Sequence, residues 1–462
     1  MNFTRNEIAL AAGGHLHGPD GIIRGLTIDS RSVQMDEMFV ALRGERDGHD
    51  YVAAARTAGA STALVERETG NDGEIVVDNT ESALRAIGKH ARTRIAGPVV
   101  GVTGSAGKTS TKDLLAGIFR IAGPTTASVK SFNNEIGVPL TLCNGPDNSA
   151  FAVIEMGARG VHHIAVLCEI ARPTIGVITN IGTAHRELFH STELTAQAKG
   201  ELLESLPSSG AAVLNADDPM IDFLRSLSSA PVLTFSAAGL LGANVIARSV
   251  VLDGNLRPSF QLDSDWGAID IALSVRGRHQ VPNALGAAAA ALAAGLSLEI
   301  VAEGLRTMDV SPWRMEMSTL ESGAMVCNDA YNANPSAMMV ALNALAELPA
   351  QRRIAVLGTM AELGDDAEAL HREVMSEANR LGIDTVVSVQ EPRYLGSTIT
   401  NDYAASVEWL MTHEATGPGT AILVKGSRVA GLERVVTLLH DRTRTPDTSE
   451  DQRTESNRES KS

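Results

Sequence analysis

Aromatic residues make up only 3% of this chain, and cysteines number three. With few large rings to bury, its cores must be packed from small and branched aliphatic residues, and an apolar content of 44% supplies ample material. Cys143, Cys168 and Cys327 are scattered, and none forms a C-x-x-C pair or a Cys/His cluster. That pattern excludes a disulfide scaffold or a cysteine-built zinc site and leaves buried free thiols in a reducing compartment. Positive charge is short as well: 39 Lys and Arg face 55 Asp and Glu, a net charge of −16. Such a field argues against binding nucleic acid or anionic membrane, so a phosphate-bearing ligand must be met by a local basic site. The opening MNFTRNEIALAAGG lacks the basic and apolar regions of a secretion signal. The longest apolar run, about 284–298, is rich in Ala and Gly and interrupted, so it reads as a buried helix and not a membrane span. A soluble cytoplasmic protein is expected.

What is present centres on residues 99–115, VVGVTGSAGKTSTKDLL. An apolar, β-rich run leads into Gly104-Ser105-Ala106-Gly107-Lys108-Thr109-Ser110, and helix formers follow. Strand, glycine loop and helix together are the context of a phosphate-binding loop. Gly104 and Gly107 permit the turn, the helix start adds its positive end, Lys108 supplies a charge for the β/γ-phosphates, and Thr109 supplies a hydroxyl for Mg²⁺. The strict G-x-x-x-x-G-K-[ST] pattern is absent, because Val102 stands where its first Gly belongs, and the shorter G-x-x-G-K-T remains.

A length of 462 residues sets a prior of about three domains. Residues 1–97 read as a small α/β block in which the strand 25–31 ends in Ser30 and Arg31. These two are either an anion or nucleotide contact or a plain turn with an exposed arginine. From Pro98 to about 310, strands and helices alternate, which predicts a mostly parallel sheet covered on both faces. The strand 149–154 delivers Glu155 to the sheet edge where ligands bind, as a Mg²⁺-associated acid or as an N-cap. A second buried strand, 174–182, leads to His185 at the same edge, as a ligand or near-metal group or as a hydrogen-bonded structural residue. The pair His162-His163 reads as structural. Lys199, inside a helix over 193–206, reads as an ordinary solvated lysine. Asn283 opens an Ala-rich helix and suits an adenine edge or simple capping. Residues 311–440 read as a Rossmann-like α/β domain, yet no G-x-G-x-x-G follows its strands, so a dinucleotide has no support. The tail 441–462 has almost no apolar residues and should be disordered.

Assembled, these stretches resemble the Mur ligase family over about residues 20–440. The resemblance rests on TIDSR at 27–31, GVTGSAGKTSTK at 101–112, SFNNEIGVPLTL at 131–142, VIEMGARG at 153–160, NIGTAH at 180–185, DAYNANPSAM at 329–338, VLGTMAELG at 356–364 and VKGSR at 424–428. NNEIGVP, YNANP and the MAELG run with His371 are similar to the D-alanyl-D-alanine-adding branch. The family's shorter loop accounts for the departure from the strict pattern.

The resemblance implies an α/β protein of three domains: a small N-terminal one (1–97) for a UDP-linked substrate, a central phosphate-loop parallel-sheet domain (98–310) for ATP, and a Rossmann-like C-terminal one (311–440). It implies that Ser30 and Arg31 lie near the uridine nucleotide and Asn133 and Asn134 near the tripeptide. Residues 104–110 would hold ATP phosphates. Thr109, Glu155, His185 and Lys199 would attend the metal, Asn283 would contact adenine, Arg314 the γ-phosphate, and Asp329 the ribose. Lys199 would be a carbamylated lysine, against the reading of its residues alone, and Lys108, Lys199, His185 and Arg314 would serve catalysis. ATP and Mg²⁺ are the implied cofactors. UDP-MurNAc-tripeptide and D-Ala-D-Ala are the implied partners, joined through an acyl phosphate by a monomer. A sister ligase of Mur or folylpolyglutamate type, or a non-catalytic nucleotide-binding protein, remains open. His279-Gln280 stands where the family has His-Asn.

Overall fold

The computed structural model describes residues 1–129, 132–182, 191–308 and 312–444. They fall into two compact units: the described residues of Met1–Asp253 with Arg257–Ser311, and those of Gly254–Leu256 with Pro312–Ser462.

The first unit begins with short strands β1 (Phe3–Thr4), β2 (His15–His17), β3 (Ile22–Ile23), β4 (Leu26–Thr27), β5 (Met38–Val40), β6 (Thr62–Val65) and β7 (Glu74–Val76). β1 and β3 form a small ribbon, and the rest form a five-stranded sheet in the order β2-β7-β6-β5-β4. The strand expected over 25–31 stops at Thr27. From there Asp29 turns the chain by accepting the Arg31 N–H at 3.0 Å, a side-chain bond that competes with strand pairing. The helix Thr80–Arg92 covers this block and packs on the helix Gly137–Cys143. The approach is close because position 88 is Gly: a Cβ there would lie 2.8 Å from Pro139 Cα.

The same unit holds a nine-stranded sheet of β8 (Val99–Thr103), β9 (Thr125–Ala127), β10 (Phe151–Glu155), β11 (Ile175–Ile178), β12 (Ala211–Asn215), β13 (Val232–Ser236), β14 (Val245–Leu252), β15 (Pro258–Ser264) and β16 (Gly267–Ala272). Its order is β16-β15-β14-β13-β12-β11-β8-β10-β9. The parallel pairing predicted from alternation runs from β9 to β14, and β15 and β16 add an antiparallel meander that the sequence reading did not anticipate. Side chains explain that difference. β8 and β11 are buried throughout, whereas β16 alternates toward solvent, as an antiparallel edge can. The Ala-rich helix Gln280–Ala293 is buried against the phosphate-loop helix Lys108–Ala122, with Ala284, Ala287, Ala288 and Ala291 fully covered. No helix of the described residues is long and apolar enough to cross a membrane.

The second unit is a six-stranded sheet of β17 (Glu316–Thr319), β18 (Met325–Asn328), β19 (Arg352–Leu357), β20 (Thr385–Val389), β21 (Thr398–Thr400) and β22 (Thr420–Lys425), in the order β17-β18-β22-β19-β20-β21. All neighbours are parallel except β17 and β18. The three cysteines are free and buried, as composition implied, and burial pushes the Cys143 and Cys168 thiols up to about 12.

Candidate active site

β8 lies between β10 and β11, which the chain reaches on opposite sides, so its carboxyl end is a switch point of the sheet. The glycine loop starts there. Gly104 and Gly107 take φ of +149° and +79°, conformations costly for residues with a Cβ. A Cβ at Gly104 would also collide with Thr179 Oγ1, and one at Gly107 with Asn283 Oδ1. Asn180 seats the loop: its carbonyl accepts the Ser105 N–H at 2.9 Å and its Oδ1 accepts the Ala106 N–H at 3.0 Å. Thr179 Oγ1 donates to the Ala106 carbonyl at 2.5 Å. Those two loop N–H groups therefore face protein, and the Lys108 ammonium donates to the Gly104 carbonyl at 2.7 Å. Asn180 lies in the NIGTAH stretch, and only the fold brings it beside residue 106.

Glu155 ends β10 in register with Val102 of β8 and is 1% exposed. Asn133 Nδ2 donates to its Oε1 at 2.9 Å, and Oε2 has no hydrogen-bond partner among the described residues. The N-cap alternative fails, because the next helix begins only at His163. Asn134 Oδ1 instead takes the Gly137 N–H at 2.8 Å and opens the helix Gly137–Cys143. His162 sits before its helix at φ +72°, and His163 Nδ1 lies 3.3 Å from Glu135. His185 lies outside the described residues.

Lys199 overturns its solvated reading, for it is 2% exposed on the helix Thr192–Glu204. Thr195, Ala196, Leu202 and Leu203 flank it at three- and four-residue spacing and are also buried. That helical period, visible in the sequence, was the signal that could have found it. Burial pushes its ammonium down to about 7, and the charge of Lys108 adds to the effect. Asn283 is buried inside the first turn of its helix, and Gln280 Oε1 accepts its Nδ2 at 2.9 Å. Gln280 thus orients Asn283 toward Gly107, so Asn283 is more than a cap.

At the end of β4, Asp29 grips Arg31 with two oxygens, at 2.9 and 2.8 Å, while the Arg31 side chain stays 87% exposed. The Arg31 guanidinium in turn holds the Asp29 carboxyl down to about 2. In the second unit, Asp329 follows β18. Its Oδ2 lies 2.5 Å from the buried Lys425 ammonium, and its Oδ1 accepts the Met315 N–H at 3.2 Å. Lys425 lies in the VKGSR stretch, and its contact with Asp329 joins residues 96 apart in the chain. Arg314 stacks on the Tyr331 ring at 4.3 Å, and its Nε has no partner among the described residues. Among those residues no three His, Cys, Asp or Glu side chains cluster as a metal site.

In the first unit, a glycine loop at a sheet switch point, with Lys108 at the helix start and a buried carboxylate at the end of the neighbouring strand, defines a phosphate-loop α/β protein. Family models match three consecutive stretches: the Mur ligase family catalytic domain over 22–92, the Mur ligase middle domain over 102–291, and the Mur ligase glutamate ligase domain over 313–428. The chain belongs to the Mur ligase family. It is 38% identical to the UDP-N-acetylmuramoyl-tripeptide–D-alanyl-D-alanine ligase of Mycobacterium tuberculosis, across 89% of this chain and 91% of that one. It is similar to the crystal structure of MurF from Acinetobacter baumannii (TM-score 0.85, 29% identity, 96% of this chain and 99% of that one). It is also similar to MurF ligase from Thermotoga maritima in complex with ADP (TM-score 0.78, 27% identity, 90% and 97%).

Proposed function

We propose that this chain is an ATP-dependent, ADP-forming amide ligase that joins D-alanyl-D-alanine to UDP-N-acetylmuramoyl-tripeptide in peptidoglycan precursor synthesis. The observation that carries the reading is a buried lysine, Lys199, held close enough to the phosphate-loop lysine Lys108 for its charge to be felt. A buried ammonium with a half-buried one near it suits a substrate carrying several negative charges, or a lysine converted to an anion.

The peptide carboxylate attacks the γ-phosphorus of ATP, giving an acyl phosphate and ADP. The dipeptide amine then attacks the acyl carbon, and phosphate leaves. Negative charge grows on oxygen in both steps, and fixed positive groups stabilise it. Lys108 leaves the Gly104 carbonyl for the β/γ-phosphates, and the first turn of the helix Lys108–Ala122 offers its N–H groups there. Arg314 is assigned to the γ-phosphate, Asp329, oriented by Lys425, to the ribose, and Asn283 to adenine. Ser30 and Arg31 meet the uridine nucleotide, with the guanidinium fork pre-set by Asp29. Asn133 and Asn134 border the tripeptide.

The donor set fits Mg²⁺: a hydroxyl from Thr109 and a buried carboxylate whose Oε2, on Glu155, has no partner among the described residues are hard oxygen ligands. When bound, the ion would neutralise phosphate charge. His185 is proposed beside it. With its proton held off near neutrality, Lys199 Nζ is a nucleophile for CO₂, and the carbamate would add a further oxygen ligand. The functional division is taken at 1–97, 98–310 and 311–440, with no role for 441–462. ATP and a nucleotide-linked acceptor are cytoplasmic substrates, so the chain is assigned there, acting as a monomer.

The test is ADP release by purified protein with ATP, Mg²⁺ and UDP-MurNAc-tripeptide, with and without D-Ala-D-Ala. Dipeptide-dependent release and a product heavier by one dipeptide less water are expected. Release with a free amino acid instead would make the chain a sister ligase. Release independent of any amine would overturn ligation.

A further inference from the structure

The MAELG run and His371 are a distinctive stretch to which the proposed chemistry gives no task. Both lie in the second unit. Residues 358–363 follow β19 at the carboxyl edge of the sheet, next to the end of β22, the edge where parallel sheets engage ligands. Hydrogen bonds from every side hold this loop. Gly358 N–H donates to the Lys425 carbonyl at 2.9 Å, and Tyr394 Oη donates to the Gly358 carbonyl at 3.1 Å. Arg393 Nη2 donates to Thr359 Oγ1 at 3.1 Å, and Ala361 N–H donates to Ser427 Oγ at 2.9 Å. Glu362 sits at φ +61°, a conformation that persists in a non-glycine residue only where its surroundings impose it.

His371 is the fully buried member of this frame, on the helix Ala367–Arg380. Its Nδ1 is 2.6 Å from the Ala367 carbonyl, which fixes the proton on that nitrogen, and its Nε2 accepts the Met360 N–H at 3.2 Å. We propose that His371 is a positioning residue for the amine step: its neutral ring holds the 358–363 loop in the shape that receives the dipeptide. The inference rests on the ligase reading above.

The groups facing the ring set its pH behaviour. Glu391 Oε2 lies 3.5 Å from Nε2, the Tyr394 ring lies 4.8 Å away, and Arg393 stands behind Glu391 in a tight ion pair at 2.5 Å. Glu368, one turn earlier on the same helix, acts on Arg393. Burial lowers the proton affinity of His371, and the Ala367 carbonyl and Glu391 offset that only in part. As pH falls, a proton arriving at Nε2 removes the acceptor for Met360 N–H and turns the ring toward Glu391. The loop loses one anchor, and use of the dipeptide weakens on the acid side.

The experiment compares wild type, His371→Leu and His371→Gln in steady-state ligation, with melting temperatures recorded. Leu removes the acceptor. Gln supplies a carbonyl oxygen near the Nε2 position that does not titrate. For His371→Leu we expect KM for D-Ala-D-Ala to rise about tenfold, the cost of one unpaired backbone donor, with KM for ATP and for the UDP-linked acceptor unchanged. His371→Gln should recover most of the loss, and the ratio of its kcat/KM for the dipeptide to that of wild type should rise as pH falls, because Lys199 and the dipeptide amine impose the same acid limb on both proteins and only wild type adds that of His371. Equal changes in all three KM values, no change, or a ratio of His371→Gln to wild type that stays constant with pH would overturn the proposal. If His371→Leu does not fold, the pH profile of His371→Gln decides alone. A wild type that shows no dipeptide-dependent ADP release defeats the ligase reading itself, a result distinct from either variant's behaviour.

Discussion

Replacing Lys199 by Met keeps the length of the side chain and removes its charge, and the consequence can be worked from burial. The fold holds the ammonium at about 7 against an ordinary 10.5, so between those pH values the unfolded chain binds a proton that the folded chain does not. Stability therefore rises with pH across this window, and the full penalty for a charged Lys199 is present below about pH 7. At about 1.36 kcal/mol per pH unit the ceiling is about 5 kcal/mol. The same linkage leaves about 4.5 kcal/mol of it at pH 6.5 and about 1.5 kcal/mol at pH 9.5. Lys199→Met should thus be more stable than wild type at pH 6.5, and its advantage should shrink by about 3 kcal/mol at pH 9.5. Ligation should meanwhile be lost. Urea unfolding of both proteins in CO₂-free buffer at the two pH values measures this. Parallel stability curves would refute the reasoning, since Lys199 would then hold its proton as any surface lysine does. A stabilised, inactive variant is the signature of a charge buried for chemistry and not for the fold.

Three further outcomes are expected. Lys108→Ala should abolish turnover with an unchanged melting temperature, and near-normal turnover would remove the phosphate loop from the mechanism. Gly107→Ala places a Cβ against Asn283 Oδ1 at φ +79°, and overpacking together with a left-handed non-glycine should destabilise by about 2–4 kcal/mol, read as a lowered melting temperature. Asp29→Ala frees the exposed Arg31 fork, so KM for the UDP-linked acceptor should rise several-fold and KM for ATP should not. Because the Asp29 carboxyl is held down to about 2 in wild type, its grip is lost only as pH falls toward that value, and binding of the acceptor should keep this contribution throughout pH 5–9.

Much of the fold was legible because the chain writes it locally. The buried strands Ile175–Ile178 and Phe151–Glu155 fall within the apolar runs 174–182 and 149–155, and the parallel core follows from continuous apolar strands. The meander β14–β16 was not legible, since short alternating runs carry weak signal and their pairing is a non-local choice. The short strand at Leu26–Thr27 was misjudged in length because Asp29 competes for the backbone.

The sequence by itself determined the phosphate loop, the strand-end position of Glu155, the absence of disulfides and the family, since each is carried by neighbouring residues or by short signatures. Only the tertiary structure decided what those residues face. It turned Asn180 into the seat of the loop, aimed Asn283 at Gly107 through Gln280, joined Lys425 to Asp329, and closed His371 over Met360. It also made Lys199 a buried amine whose proton is held off near neutrality, where composition had offered a solvated lysine. The physical reason is the same throughout. Burial and electrostatic environment are set by groups dozens or hundreds of residues away in the chain, and no local pattern contains them.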